Sequence, residues 1–345
     1  MRAAMYRETG DSSVLSVEEI PTPEPGPGDV RVRIACSGVN PTDWKTRSGM
    51  TGAAPSEPQV PHQDGAGVID AVGEGVDDRR IGQRVWLYLA AFQNRWGTAA
   101  EYSVVPAERC VPLPDAASDE LGACLGVPAV TAAHCLGGVP GRLSGATVLV
   151  TGGAGAVGHY AIELAKHAGA RVVTTVSSAK KAELATAAGA DLVVDYRQPG
   201  FVEEVQRFSP AVDRVVEVAL GANLDLDLAV SRPGTEIVTY ATERTDPVLP
   251  TRRLMAANVA IRYVLLYGVP RQELVDAVSW VDRAVRDSAL SLLPLHRFSL
   301  DEVAAAQDAV ERGAVGKVLV LPGAGAPLSG TAPDADVIDP SRASR

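Results

Sequence analysis

The stretch VTGGAGAVGHYAIELAKHAGARVV, Val150 to Val173, constrains this chain more than any other part of it. Gly153, Gly155 and Gly158 form a G-x-G-x-x-G pattern between the apolar run that ends at Val150 and a stretch whose Ala161, Ile162, Leu164 and Ala165 repeat at helical spacing. On its own the pattern is weak; between a strand and a helix it has a mechanism. Glycine lets the backbone approach a pyrophosphate and lets the helix pack closely on the strand, while the helix N-terminus offers N–H groups to the anion. The competing reading is a tight turn that binds nothing.

What surrounds the stretch agrees with it. From Ala146 onward, strand-like and helix-like runs alternate: ATVLVTG, HYAIELAKHAG, ARVVTTV, AKKAELATAAG, DLVVDY, FVEEVQRF, DRVVEVA, LDLDLAV and TEIVTYA. That rhythm predicts an α/β fold, a doubly wound parallel sheet with helices on both faces. NVAIRYVLLYG adds a last strand and RQELVDAVSWVDRAVRDS an amphipathic helix. Before Val111 the texture is different, with short strand-like runs (DVRVRIACSGV, AGVIDAVGEGV, QRVWLYL, AAEYSVV) separated by turn-rich loops. An all-β region is expected there, and HRFSLDEVAAAQDAVERGAVGKVLVLP is expected to return to it. The tail from Gly323 has no periodicity and is rich in Gly, Pro, Ser and Asp, so disorder is expected.

Composition narrows the function classes. A formal net charge of −10 gives no basic footprint for nucleic acid, and no apolar run reaches the length of a membrane span. MRAAMYRETGDSS lacks the apolar core of a signal peptide, so a soluble, cytoplasmic protein is expected. Cys36, Cys110, Cys124 and Cys135 are scattered without a CxxC pair and read as buried free thiols.

The second strand of the nucleotide unit ends in TTVSS, where an NAD site places an acid on the ribose 2′-hydroxyl. Ser177, Ser178 and Lys181 can instead hydrogen-bond or neutralise a 2′-phosphate, which favours NADPH; Lys180 reads as a solvated first-turn lysine.

The segments ACSGVNPTDWKTRSG, PHQDGAGVIDAVGEGV, GVPAVTAAH, VTGGAGAVGHYAIELAKHAGA, AGADLVVDYR, VEVALGANLDLDLAVSRPG and GKVLVL together resemble the medium-chain dehydrogenase/reductase superfamily, and within it the zinc-independent NADPH quinone oxidoreductase branch. The resemblance implies a discontinuous GroES-like β domain, residues 1–121 with 297–322, and a Rossmann NADPH-binding domain, residues 122–296. It also implies a homodimer or homotetramer. Residue by residue, it sets Ala154, Gly155, Ala156, Val157 and Gly158 on the pyrophosphate, Ser177, Lys181 and Tyr196 around the 2′-phosphate, Tyr240, Ala241 and Thr242 at a strand end by the cofactor, and Leu265, Leu266 and Tyr267 by the nicotinamide.

Zinc chemistry separates the branches of that superfamily. A catalytic zinc needs three protein ligands of the Cys, His or Glu kind plus an open position. The three places fall on Asn40, Gln63 and Val127, which cannot make that site. His62 then reads as a hydrogen-bonded loop residue and Asp64 as structural. Without a Lewis acid, hydride transfer requires an acceptor that is already electrophilic, a quinone or an α,β-unsaturated carbonyl, whose developing anion is stabilised by hydrogen-bond donors. Asn40 and Lys45 are the candidates for that polar work, and Thr131 matches a family position beside the nicotinamide. Asn40 competes with a simple N-P turn role, and Lys45 departs from the tyrosine that relatives carry. Trp44, Trp86, Tyr88, Phe92 and Trp96 are candidate walls of an apolar cleft, although each alone reads as ordinary packing. Two further readings stand beside this one: an enoyl-thioester or polyketide enoyl reductase, which uses the same hydride chemistry, and a non-catalytic NADPH-binding protein with a crystallin-like or RNA-binding role.

Overall fold

The computed structural model describes residues 1–52, 54–242 and 246–323. The tail in which disorder is expected lies outside the described residues from position 324 on. The chain divides into two compact units, Met1–Val127 with the segment from Pro294 onward, and Pro128–Leu293.

The first unit carries β1 (Arg2–Met5), β2 (Ser16–Glu19), β3 (Asp29–Val39), β4 (Asp64–Val72), β5 (Arg84–Leu87), β6 (Tyr102–Pro106) and β7 (Cys110–Pro112). The second carries β8 (Thr147–Val150), β9 (Arg171–Val176), β10 (Leu192–Asp195), β11 (Val212–Glu217), β12 (Ser231–Thr239) and β13 (Ala260–Tyr263); β14 (Leu295–Ser299) and β15 (Lys317–Leu321) return to the first. There the sheet order is β14-β15-β3-β4-β5-β7, with β6 also paired to β3. Antiparallel pairing of β15 with β3 brings Val318 opposite Val39. That register joins the two ends of the discontinuous unit beside residue 40. Alternating side chains of β3 send Val30, Val32 and Ile34 into a core with Ile69, Val85 and Leu87. The region expected to be all-β also holds a helix, Pro41–Arg47. Proline at the first helical position and a bond from the Asn40 backbone N–H to Asp43 Oδ2 start it, a local signal that the strand pattern around it hides.

The second unit is a six-stranded parallel sheet in the order β10-β9-β8-β11-β12-β13. Strand order reverses between β8 and β11, where open α/β sheets bind their ligands at the carboxyl ends of the strands. β8 is buried along its whole length, as a central parallel strand covered on both faces must be. The helices between strands include Ala156–His167, Ala179–Ala187, Phe201–Phe208 and Leu220–Val230, and the long helix Arg271–Arg286 closes the unit. No helix among the described residues is long and apolar enough to cross a membrane.

Candidate functional site

In the second unit the glycine turn follows β8 directly, and Gly155 caps the helix Ala156–His167. A Cβ on Gly153 would overlap Thr174 Oγ1 and press on Ile162, and one on Gly158 would overlap the Gly152 carbonyl. These two glycines therefore let the turn, β9 and the helix lie against one another. Gly155 stands in nearly open space, with only the Gly152 carbonyl oxygen 3.3 Å from where its Cβ would be. Its backbone is accessible to a ligand, and Ala156, Val157 and Gly158 are the first helical residues, whose N–H groups have no acceptor within the helix. The arrangement fits a pyrophosphate.

The ends of β9 and β10 supply a second cluster. Tyr196 N–H donates to the Val176 carbonyl at 3.2 Å, which sets the two strand ends side by side. Lys181 Nζ donates to Ser177 Oγ at 3.0 Å, and burial followed by the neighbouring Arg197 charge holds Lys181 below its usual pKa. Lys181, the Ser177 hydroxyl and the half-exposed Tyr196 thus share one corner, beside an Arg197 that is paired with Asp195 at 2.8 Å. Sequence reasoning missed Arg197, although it directly follows Tyr196.

At the other strand ends, Tyr240 N–H reaches the Glu217 carbonyl at 3.3 Å. The Tyr240 phenol is pushed well above its ordinary pKa by burial, then by Cys135 and Glu217 nearby, so its ring packs inward. Ala241 is half-buried and Thr242 exposed. Leu265 is 69% exposed while Leu266 is buried and Tyr267 half-buried. Thr131 is buried on the helix Gly126–Cys135.

In the first unit, Asn40 does not spend its side chain on the helix it precedes. Its Nδ2 donates to Asp64 Oδ2 at 2.7 Å, and its Oδ1 accepts from Lys317 Nζ at 2.8 Å. Asp64 Oδ1 accepts from the Val127 N–H at 2.7 Å, and Lys317 Nζ also donates to the Val39 carbonyl at 3.3 Å. Asn40, Asp64 and Lys317 are all nearly fully buried. Gly126 leaves the room for this: a Cβ there would overlap the Asp64 carboxylate. Burial raises Asp64 to about 6, against the opposing pull of Lys317, Asn40 and the Val127 N–H, and both its oxygens face donors, as those of a carboxylate do. Asp64, expected to be structural, and Lys317, not singled out at all, are the residues that hold Asn40. Lys45 lies instead in the last turn of Pro41–Arg47 with its Nζ 5.9 Å from the Trp44 ring.

His62 is buried with a left-handed backbone, φ 79°. Gln307 Nε2 can only donate to its Nε2, at 3.2 Å, which leaves the His62 Nδ1–H to donate to Ser37 Oγ at 2.9 Å; the Ser37 hydroxyl then faces Thr98 Oγ1 at 2.8 Å. Burial followed by the Lys317 charge lowers His62 to about 3, so the ring is neutral. It is a hydrogen-bonded structural histidine. Trp86, a candidate cleft wall, is instead completely buried, 6.0 Å from the Tyr88 ring, and Tyr88 donates its hydroxyl to the Glu108 carbonyl. The strand β5 turns Trp86 into the core, so it does not line a cleft. Among the described residues no group of three or more His, Cys, Asp or Glu side chains is arranged to hold a metal ion.

Comparison with known proteins places this geometry. The alcohol dehydrogenase GroES-like domain matches residues 26–115, and the zinc-binding dehydrogenase domain matches residues 156–283. The latter match lies wholly in the nucleotide unit and includes none of Asn40, Gln63 and Val127. The quinone oxidoreductase of Rattus norvegicus is 26% identical over 326 residues, covering 93% of this chain and 98% of that protein. A solved mycobacterial quinone oxidoreductase is 31% identical with a TM-score of 0.79, covering 93% of this chain and all (100%) of its own. A mycobacterial structure complexed with NADPH is 32% identical, also with a TM-score of 0.79, covering 93% of this chain and 100% of that chain. With both domains matched, and a solved relative above 30% identity aligned along its full length, the chain belongs to the quinone oxidoreductase branch of the medium-chain dehydrogenase/reductase superfamily.

Proposed function

We propose that this oxidoreductase uses NADPH to reduce a quinone or an α,β-unsaturated carbonyl without zinc. The observation that carries the reading is the Asn40 amide, held by Asp64 and Lys317 at a place where zinc enzymes carry a thiolate ligand. An amide, a glutamine and a valine do not form a zinc donor set, and the reaction is derived without one. NADPH, when bound, supplies the hydride. The protein's part is to present a hydrogen-bond donor to the oxygen on which charge accumulates. An enolate or hydroquinone anion spreads that charge, so one or two donors suffice; the localised alkoxide from a simple ketone needs a Lewis acid. The glycine turn would hold the pyrophosphate, and Ser177 and Lys181 the 2′-phosphate.

The cofactor half of the proposal is tested at Lys181. A charge-assisted contact to phosphate is worth about 1.5–3 kcal/mol, so Lys181→Ala is expected to weaken NADPH by roughly 10- to 150-fold and NADH hardly at all. Equal losses for the two dinucleotides, measured by fluorescence titration, would make Lys181 a surface lysine. The metal half is tested by elemental analysis with a chelator. The protein is expected to hold no stoichiometric zinc and to keep its turnover; one tightly held zinc per chain, with activity lost on its removal, would overturn it.

A further inference from the structure

We propose that Lys317 and Asp64 act as a pair of positioning residues that fix the Asn40 amide in one orientation, with Oδ1 toward the ammonium and Nδ2 toward the carboxylate, so that its remaining Nδ2 hydrogen is held in one direction. What that donor is used for rests on the reductase reading above; the clamp itself rests on geometry.

An asparagine amide has two ends of nearly equal shape, and a half-turn about its last torsion exchanges them. Here the neighbours decide between the ends by chemistry. An ammonium only donates, and an ionised carboxylate only accepts. Lys317 Nζ lies 2.8 Å from Oδ1, and Asp64 Oδ2 lies 2.7 Å from Nδ2. The flipped amide would place N–H against N–H and oxygen against oxygen, so it is excluded. The ammonium at the carbonyl oxygen draws electron density from nitrogen toward oxygen, while donation of one N–H to the carboxylate opposes this at the other, so the clamp acts chiefly by fixing the direction of the second N–H.

Each half of the clamp is itself braced. Lys317 is tied to the Val39 carbonyl and Asp64 to the Val127 N–H. Lys317 and Asp64 approach to 4.0 Å, with the amide bridging them, and Asp43 holds the Asn40 backbone N–H at 2.7 Å. Lys317 is only 3% exposed, at the head of the apolar run Val318–Leu321. Burying such an ion pair is often no better for stability than a packed apolar pair, so folding alone gives little reason for a lysine here. Orienting the amide gives one.

The test combines a spectroscopic signature with kinetics. In wild-type protein the side-chain amide pair of Asn40, assigned by its disappearance in Asn40→Ala, is expected to show one ¹H resonance well downfield from hydrogen bonding to Asp64, with wide separation between the two. An ordinary solvated-asparagine pair in the wild type would overturn the clamp without any variant. Lys317→Met alone strands a buried carboxylate and can fail to fold, so the decisive variant is Lys317→Met with Asp64→Asn, which removes both charges. Its amide separation is expected to collapse, and kcat for a conjugated acceptor to fall about tenfold, less than outright loss of a donor, with KM for NADPH nearly unchanged. A folded double variant with an unchanged amide signal overturns the clamp, and one with a changed signal but wild-type kcat overturns its role in turnover. Wild-type protein that reduces no conjugated acceptor sinks the reductase reading instead, leaving the spectroscopic test standing.

Discussion

Replacing Asn40 by alanine is expected to lower kcat for a conjugated acceptor by about 10²–10³ while leaving the affinity for NADPH nearly unchanged. The size follows from the role. A donor aimed at an oxygen that gains charge only as hydride arrives contributes to the transition state and little to the ground state. The separation from NADPH binding follows from the architecture: the glycine turn and the Ser177–Lys181 corner belong to the second unit and Asn40 to the first. Truncating Asn40 also leaves Lys317 Nζ and Asp64 Oδ2 each short of a partner, so the melting temperature is expected to drop. Stopped-flow measurement of NADPH oxidation decides the matter. Unchanged turnover in Asn40→Ala would remove Asn40 from the mechanism and leave it a helix-flanking turn residue.

Asp227→Asn is expected to stabilise the protein, and most strongly at alkaline pH. Asp227 is completely buried on the helix Leu220–Val230; among the described residues neither of its carboxylate oxygens meets a donor, and Glu217 Oε2 lacks one too. Burial, then the facing Glu217 carboxylate, pushes Asp227 from an ordinary 3.8 up to about 9. Glu217 is also raised by burial, against its bonds from the Ala219 N–H, Asn223 Nδ2 and Thr151; Tyr240 is the other titratable group affected by its charge. One proton shared between the two carboxyls would give two of these three oxygens a partner. A folded-state pKa above the unfolded one stabilises fully below the unfolded value, and that contribution is lost as pH rises through the folded pKa. The window therefore opens near 3.8 and closes near 9, and across it the wild type loses stability steadily. An amide at 227 donates to Glu217 without titrating, and a gain on the order of 2–4 kcal/mol at pH 8 is expected, shrinking toward pH 4. Denaturant unfolding at both pH values checks this. A variant less stable than wild type at pH 8, or a difference independent of pH, would contradict the shared-proton arrangement.

The nucleotide unit was legible in the sequence because its signals are local. Gly153, Gly155 and Gly158 sit between β8 and the helix that the apolar spacing implies, and the alternation of strands and helices follows from side-chain periods within short windows. The surroundings of Asn40 were not legible, because Lys317 is 277 positions away and arrives only through the pairing of β15 with β3. A lysine at the head of GKVLVL was the available signal: a charge where an otherwise apolar strand begins. The buried acid pair escaped for another reason. In LDLDLAV, Asp225 is exposed and paired with Arg253 at 2.8 Å, whereas Asp227, two positions on, faces the interior. Sequence spacing alone does not tell which of two nearby aspartates turns inward when leucines flank both. Trp86 shows the converse, since an aromatic in a buried strand packs in the core whatever cleft its neighbours suggest.

Metal-free hydride transfer from NADPH to a conjugated acceptor is tested by steady-state kinetics. Steady-state oxidation of NADPH and of NADH is followed at 25 °C, in the presence of a chelator, against a panel of quinones, enones, simple ketones and, in the reverse direction, simple alcohols. Turnover with quinones or enones is expected, with a clear preference for NADPH and rates near background with simple ketones and alcohols. Robust oxidation of simple alcohols, with no activity toward any conjugated acceptor, would contradict it.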